Sequence, residues 1–488
     1  MAQSAKPIRM VRSLPRLAFS ERRLLLRVGD LVLISASIVI SLWLWFGISS
    51  NPFTWERVRE QMLWVGLVFF GWPVWLFFND LYNLRWAVQV PRLVRAILLG
   101  GIAIFVAYLS IFFVTSRTPV VSLLAGLPIE RDPLRLAPAF AIGLSGALLL
   151  IWRIGYAVVL GGPHARRRLL IIGANEPGLV LWRTIRQLHS AQYHIVGFID
   201  DAPVTLPSDA PLCYGGIERL RQVVEQVGVD EIAVGASNGI AGSAVAALMD
   251  CHEHGVAITP LTLLYERIAG KVAVEHIGDE WYLALPVQQS GTVTLYRFIK
   301  RLMDLAGGLL LGVIFLVALP FIAVAIKLNS RGPIFYLQDR VGLYGRTFRV
   351  RKFRSMVQDA ERDGQARWAV KGDSRITRVG AFLRKTRLDE LPQVLNVLSG
   401  EMSLVGPRPE RQQFIEQLQQ QIPFYRTRLA AKPGLTGWAQ VSYGYGATVE
   451  DALIKLQYDL FYIKHQSPWF DLTIALRTIS VVLRMKGQ

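Results

Sequence analysis

Four long runs without a charged residue constrain the fold of this chain more than any other feature. They cover residues 31–55, 61–79, 96–114 and 136–152. A helix needs roughly 17–25 predominantly apolar residues to cross a bilayer. Each run therefore predicts a transmembrane helix. The alternative, four buried helices of a soluble bundle, is disfavoured because the outer faces of such helices would carry charges.

The composition agrees with a membrane protein. The 488 residues are 52% hydrophobic and 18% charged, whereas soluble domains carry about 25% charged residues. The net charge of +18 is unevenly spread, with +9 in residues 1–164, −5 in 165–290 and +14 in 291–488. Basic ends beside apolar runs favour a membrane surface and phosphate substrates over nucleic acid. Two cysteines are too few for a disulfide scaffold or a multi-cysteine zinc site.

The loops between the runs predict the orientation in the membrane. Seven basic residues precede the first run, and three more, Arg166 to Arg168, follow the fourth. Basic loops alternate with near-neutral ones, so the N-terminus and everything after residue 164 are predicted on the cytoplasmic face. No small-residue cleavage site follows the first run, which argues against a removable signal peptide. Residues 1–28 are thus predicted to be a basic cytoplasmic segment and 29–162 four transmembrane helices.

Residues 165–290 predict a Rossmann-like α/β domain. "RLLIIGA", "YHIVGFIDD" and "VDEIAVGAS" read as strands that alternate with helices, which is typical of a parallel sheet. The turn from Gly173 to Gly178 resembles a dinucleotide fingerprint, but Asn175 replaces the glycine that lets the backbone approach a pyrophosphate. A structural or regulatory module is favoured over a nucleotide site. Cys251 to His254 do not have the spacing of a metal site.

A fifth uncharged run, residues 305–326, contains Pro320 and has basic residues on both sides. The charges therefore give no inside–outside asymmetry, and a proline within a helix kinks it. We expect a re-entrant helix over about 303–328 that enters the inner leaflet, bends near Pro320 and returns. A plain fifth span is the alternative.

The chain after this run carries the residues suited to chemistry. "TFRVRKFRSM" alternates like a strand and contains Lys352 and Arg354. Asp389 and Glu390 stand near a predicted helix start, where a carboxylate can simply cap the helix. However, two carboxylates among many cations beside a membrane helix suit Mg²⁺ and a phosphate ester. Arg408 lies between two prolines, and such a fixed guanidinium suits bidentate phosphate binding.

These stretches carry a family resemblance over residues 294–488. "KRLMDL", "RKFRSM", "LDELPQVLNVLSGEMSLVGPRPE", "KPGLTGWAQV" and "YDLFYI" resemble the bacterial sugar transferases, that is, the polyisoprenyl-phosphate hexose-1-phosphate transferases. The four spans and the α/β domain are similar to the long form of this family, which primes exopolysaccharide or O-antigen synthesis. The implied fold is a mixed membrane protein that ends in a mainly α catalytic domain with a re-entrant helix. Residues 442–447 lack the basic residue that some short members have there.

The resemblance implies a reaction at the Asp389–Glu390 dyad. A UDP-sugar would donate hexose 1-phosphate to undecaprenyl phosphate with release of UMP. Asp389 matches the nucleophile that forms an aspartyl phosphosugar, and Glu390 would help to hold Mg²⁺. Arg408 would contact the donor or its phosphate.

The resemblance also implies supporting residues and a location. Lys352 and Arg354 would position the dyad or bind phosphate, and Asp459 matches a family acid for which an organising role is expected. The chain would be a multi-pass protein of the bacterial inner membrane with its catalytic domain on the cytoplasmic face. Membrane lipids are implied as partners, and downstream glycosyltransferases and a homodimer stay open. Residues 294–488 alone are expected to retain activity.

Three other functions are considered. A nucleotide-sugar oxidoreductase or dehydratase would need an intact glycine fingerprint and a Tyr-x-x-x-Lys pair, and the sequence has neither. A conventional glycosyltransferase would need an Asp-x-Asp metal motif, which is also missing. A membrane scaffold or sensor would make Asp389 dispensable. The sequence does not identify the sugar, and glucose and galactose are both reasonable.

Overall fold

The computed structural model of the protein forms two compact units, residues 1–261 and 262–488. The first holds the predicted membrane helices and the α/β sheet, and the second holds the dyad. The basic residues before 19 and the loop 118–135 lie outside the described part of the chain. The structure describes residues 19–48, 54–117, 136–162, 166–188, 192–202, 206–235, 242–274, 290–358, 373, 375–422, 424–444, 446 and 448–483.

The charge-free runs form long helices in the first unit. The helices of this region are α1 (Phe19–Ile48), α2 (Trp55–Phe78), the short α3 (Leu84–Ala87), α4 (Val90–Arg117) and α5 (Leu136–Leu160). A buried core of aliphatic and aromatic side chains joins the four long helices. Within it, Trp72 Nε1 donates to Ser145 Oγ over 2.7 Å. Asp30 and Arg153 form a fully buried ion pair between α1 and α5.

Five helices among the described residues are long and apolar enough to cross a membrane. Four of them, Glu21–Gly47, Gln61–Phe78, Val90–Phe113 and Ala137–Leu160, overlap the four predicted spans. The fifth is Thr294–Asn329. These helices make the chain a membrane protein, as the charge-free runs predicted.

A parallel sheet follows α5. The prediction that strands and helices alternate after residue 165 around a parallel sheet is therefore confirmed. Its strands occur in the spatial order β2-β1-β3-β4. This order also occurs in flavodoxin-like sheets, so it does not by itself establish a Rossmann relationship. The elements are β1 (Arg167–Ile172), α6 (Glu176–Gln187), β2 (Tyr193–Ile199), α7 (Leu220–Val223), β3 (Glu231–Val234), α8 (Gly242–Glu253) and β4 (Ala257–Pro260).

The second unit is mainly helical, with two small two-stranded sheets. Its first residues already belong to its core, because Val272 is buried with Ile415 and Leu456. The unit therefore begins well before residue 294. Its elements are α9 (Leu261–Ala269), α10 (Ser290–Asn329), β5 (Phe335–Val341), β6 (Thr347–Phe353), α11 (Arg378–Lys385), a 3-10 helix (Leu388–Gln393), α12 (Val394–Ser399), β7 (Ser403–Val405), α13 (Gln412–Gln421), a 3-10 helix (Tyr425–Ala430), β8 (Gly434–Thr436), α14 (Trp438–Ser442), α15 (Val449–Lys464) and α16 (Pro468–Leu483).

Helix α10 runs continuously through Pro320 for 40 residues, or about 60 Å. Near its start, Lys300 Nζ donates to Asp471 Oδ2 on α16 over 2.9 Å. Just after its end, Ser330 accepts a hydrogen bond from Arg354. The face turned away from these contacts exposes large apolar side chains along the whole helix, among them Leu295, Leu302, Leu310, Val317, Phe321 and Leu328. One side of α10 is thus fixed to the second unit and the other is apolar and uncovered.

Candidate active site

A cavity of about 560 Å³ opens in the second unit and contains the dyad. Strands β5 and β6, the 3-10 helix Leu388–Gln393, the loop around Arg408 and helix α15 all contribute to its wall. Its volume lies in the range of small-molecule sites. The cavity brings together segments that are more than a hundred residues apart in the sequence.

Glu390 is buried and held by cations on several sides. Lys352 Nζ lies 2.9 Å and Arg408 Nη2 lies 2.6 Å from Glu390 Oε1. Arg387 Nη1 is 3.7 Å from Oε2. Burial opposes ionisation of Glu390, but Arg408 and Lys352 outweigh it and hold the pKa of this carboxyl well below its usual range. Glu390 is therefore a permanent anion that fixes the cations around it.

Asp389 has a different environment, although it is the neighbouring residue. No hydrogen bond or ion pair among the described residues engages its carboxylate. Burial, and secondly the charge of Glu390, raise the pKa of Asp389 to about 6. Two adjacent carboxyls with pKa values driven apart are typical of groups with separate chemical roles. Asp389 is the one that remains available to a substrate.

The backbone before the dyad adopts a sparsely populated conformation. Arg387 has a φ of 61°, in the left-handed region that non-glycine residues seldom occupy. It directly precedes the 3-10 helix that carries Asp389 and Glu390. Strain of this kind is concentrated at functional sites, where the surrounding contacts maintain it. Here the contact of Arg387 with Glu390 is one such restraint.

The loop that carries Arg408 is fixed by close backbone packing. Gly406 N donates to Thr436 O over 2.8 Å, and Gly434 N donates to Pro407 O over 2.9 Å. A Cβ atom added to Gly434 would collide with Gly406 N. The glycines of "GPRP" and "KPGLTG" are therefore needed so that two backbone segments can meet. The close packing of these two segments holds the guanidinium of Arg408 against the carboxylate of Glu390.

Arg428 supports the same loop from behind, and the sequence did not predict it. Its Nη2 donates to Asp459 Oδ2 over 2.7 Å and to the carbonyl oxygen of Arg408 over 3.0 Å. Its Nη1 donates to the hydroxyl of Tyr425 over 2.9 Å. Burial raises the pKa of Asp459, and the guanidinium of Arg428 opposes that rise. No local pattern around Arg428 predicts this role, because the carboxylate of Asp459 and the carbonyl oxygen of Arg408 both come from other segments of the chain.

The six residues singled out in the sequence thus fall into two groups. Lys352, Asp389, Glu390 and Arg408 come together in one cavity, as the motifs suggested. Arg354 and Asp459 contribute to the wall of this cavity, but their charged groups are engaged elsewhere. Arg354 donates to the carbonyl oxygens of Ser330 and Arg331 after α10, and Asp459 pairs with Arg428. These contacts indicate that Arg354 and Asp459 position other parts of the site.

The donor atoms of the site suit magnesium only in combination with a substrate. The described residues contain no group of three or more potential metal ligands. Mg²⁺ is commonly held by one or two carboxylates together with substrate phosphates and water, rather than by a protein cage. Asp389 has unengaged carboxylate oxygens, whereas Glu390 already accepts from Lys352 and Arg408. The dyad therefore fits such a shared ion and does not fit a closed metal site.

The cavity thus combines an unengaged carboxylate, a fixed anion and several cations next to an apolar helix, and such a set of groups is suited to binding phosphate esters. The comparisons with known proteins agree. Residues 295–485 match the model of the family described as "Bacterial sugar transferase".

Curated relatives extend the match beyond this region. A UDP-glucose:undecaprenyl-phosphate glucose-1-phosphate transferase from Klebsiella pneumoniae is 31% identical over 77% of this chain and 77% of its own length. A protein of the same name from Escherichia coli is 33% identical over 67% of this chain and 70% of its own. A UDP-N-acetylgalactosamine-undecaprenyl-phosphate N-acetylgalactosaminephosphotransferase from Aeromonas hydrophila is 42% identical over 48% of this chain, and the match spans 54% of that relative.

This chain belongs to the bacterial sugar transferase family and is an enzyme of the transferase class. The resemblance seen in the motifs of residues 294–488 is confirmed.

Proposed function

We propose that the protein transfers a hexose 1-phosphate from a UDP-sugar to undecaprenyl phosphate, releasing UMP and priming exopolysaccharide or O-antigen synthesis. The observation that carries the proposal is the contrast within the dyad: Asp389 is unengaged with a pKa of about 6, beside a Glu390 fixed by cations. The names of the relatives supply the substrate class. A single carboxylate nucleophile lets a soluble donor and a lipid acceptor use one site in turn.

In the first step, an Asp389 carboxylate oxygen attacks the phosphorus that carries the sugar. The bond from this phosphorus to the bridging oxygen breaks, and UMP leaves with the electron pair. The product on the protein is an aspartyl phosphosugar, a mixed anhydride. Lys352 and Arg408 border the cavity at this point and would neutralise the charge that develops on the leaving phosphate.

In the second step, a phosphate oxygen of undecaprenyl phosphate attacks the same phosphorus. The bond to Asp389 breaks, which restores its carboxylate and yields undecaprenyl-diphospho-sugar. Throughout both steps Glu390 keeps Lys352 and Arg408 in place. A magnesium ion held by the dyad and the donor diphosphate would neutralise phosphate charge when bound.

We also propose that α10 is embedded in the inner leaflet of the bacterial inner membrane without crossing it, so that both of its ends stay on the cytoplasmic side. Both of its ends are bonded to polar groups of the same compact unit. A helix with one anchored face and one exposed apolar face suits the plane of a membrane interface. This arrangement would hold the dyad at the depth of the lipid phosphates, on the cytoplasmic face where UDP-sugars occur.

The proposal predicts UMP release that depends on both a donor and the lipid. The purified full-length protein, in nanodiscs with Mg²⁺, would be given UDP-glucose, UDP-galactose and their N-acetyl analogues in turn. With undecaprenyl phosphate we expect continuous UMP release from at least one donor. Without lipid, we expect at most one UMP per chain and an intact-protein mass raised by one hexose phosphate. Undecaprenol, which lacks the phosphate, is the matched control and should not restore turnover. No UMP from any donor would refute the transferase, and turnover without an adduct would refute the covalent step.

The pKa of Asp389 predicts how the first step depends on pH. Only the ionised carboxylate can attack, and with a pKa of about 6 its ionised fraction falls tenfold for each pH unit well below 6. Single-turnover UMP release without lipid should therefore be constant above about pH 7 and fall with a slope near one below pH 6. Omitting the lipid avoids titration of its phosphate monoester. A rate that stays flat down to pH 5 would contradict the assignment.

A further inference from the structure

Three phenylalanines link the membrane-facing helix α10 to the wall of the cavity. Phe315 of α10 lies 5.9 Å from Phe353 of β6 and 6.5 Å from Phe335 of β5, measured between ring centroids. Phe335 and Phe353 stack at 5.5 Å with their planes 17° apart. Phe315 and Phe353 are buried, whereas Phe335 is 37% exposed and lines the cavity. Phe335 is the ring of this stack that a ligand can reach.

Other apolar groups continue this exposed surface around the cavity. Tyr336 and Val357 line the cavity and are also exposed. Pro333 and Arg354 extend the wall to the end of α10, where Arg354 bonds to Ser330. The last turns of α10 expose Phe321, Val324 and Leu328, the last at 84%. The end of α10, with its exposed apolar side chains, thus lies next to the part of the cavity wall that carries Phe335.

Cations stand beside this apolar wall within the same cavity. Arg384 and Arg387 line it together with Asp389 and Lys352. A group that satisfies both features must carry a phosphate at one end and a hydrocarbon next to it. The UDP-sugar has no hydrocarbon part, but the acceptor joins its phosphate directly to an isoprene chain. Charge complementarity and the proximity of the end of α10 therefore select one occupant.

We propose that Phe335, with Tyr336 and Val357, binds the first isoprene units of the polyprenyl phosphate acceptor. The inference rests on the proposed function and adds to it the protein surface that distinguishes the lipid from other phosphate esters. The acceptor phosphate then lies toward Arg384 and Arg387, and the rest of the chain follows the apolar face of α10 into the leaflet. Phe335 contributes to the binding of the acceptor and does not take part in the chemical steps.

Kinetics that separate the two steps test this proposal. Replacing Phe335→Ala removes the exposed ring, and we expect the KM for undecaprenyl phosphate to rise about tenfold or more. Single-turnover UMP release without lipid should change far less, which also shows that the variant is folded. Phe335→Leu keeps most of the apolar area and should raise this KM less than threefold. Leu337 is the matched control, since it lies on the same strand and is 54% exposed but does not line the cavity. Leu337→Ala should leave the KM for the lipid unchanged.

A second readout uses the acceptor itself. Wild-type protein should prefer undecaprenyl phosphate to a linear alkyl phosphate of equal length, and Phe335→Ala should reduce that preference. An unchanged acceptor KM in Phe335→Ala, or an equal rise in Leu337→Ala, would overturn the assignment. An equal loss of lipid-independent UMP release would overturn it too, because Phe335 would then serve the first step or the fold. Failure of the proposed function itself differs from all of these, since wild-type protein would then release no UMP from any donor.

Discussion

Replacement of Asp389 by asparagine is expected to reduce UMP release by at least about a thousandfold. The amide has nearly the same shape but cannot attack phosphorus and form the mixed anhydride. The adduct detected by intact-protein mass should disappear as well. Both readouts would be measured with the donor that the wild-type protein uses, with and without undecaprenyl phosphate.

The fold of this variant should be intact or more stable. Because the pKa of Asp389 is raised in the folded protein from 3.8 to about 6, ionisation of its carboxyl opposes folding. This effect grows as pH rises from about 4 to about 6 and is fully present at higher pH. A neutral amide removes that effect, so at pH 8 the Tm of Asp389→Asn should equal or exceed that of wild type. Asp339→Asn is the control, since Asp339 is exposed and pairs only at the surface with Arg349. Release by Asp389→Asn at more than a tenth of the wild-type rate would contradict the assignment of Asp389 as the nucleophile.

Removing one partner of the buried ion pair between Arg428 and Asp459 is expected to lower the stability of the fold more than any other substitution proposed for this protein. Replacing Arg428→Met leaves the carboxylate of Asp459 buried without its cation, and removing one partner of such a pair costs about 3–5 kcal/mol. We expect a clear fall in the Tm measured by thermal unfolding in detergent. The exposed pair of Arg349 and Asp339 is the matched comparison, and Arg349→Ala should cost less than about 1 kcal/mol.

A double variant separates stability from activity at this pair. Combining Arg428→Met with Asp459→Leu removes both charges, and apolar replacement of a buried ion pair is often close to neutral for stability. The Tm should therefore recover, whereas UMP release should stay low, because nothing then holds the carbonyl oxygen of Arg408. Activity that recovers together with the Tm would show that Arg428 matters only for the fold. A single Arg428→Met variant as stable as wild type would contradict the pair itself.

Local sequence determined the parts of this protein that depend on periodicity and composition. The uncharged runs predicted the long apolar helices. Charged side chains are costly inside a bilayer, so a segment that crosses it is recognised by a long stretch without them. Alternation in "TFRVRKF" predicted the strand that became β6, since successive side chains of a strand point to opposite sides. The motif "LDELPQ" and the prolines around Arg408 marked the residues that meet in the cavity. Each of these signals lies within about twenty neighbouring residues.

Only the tertiary structure decided which of the marked residues face the dyad. Lys352 and Arg354 are two residues apart in one motif, yet Lys352 bonds to Glu390 and Arg354 bonds to the end of α10. Asp459 became the partner of Arg428, which no pattern had marked. The physical reason is that a charged side chain reaching a buried region must find its counter-charge wherever packing places one. The motifs in the sequence show which charged residues are present, and the tertiary structure determines which partner each of them binds.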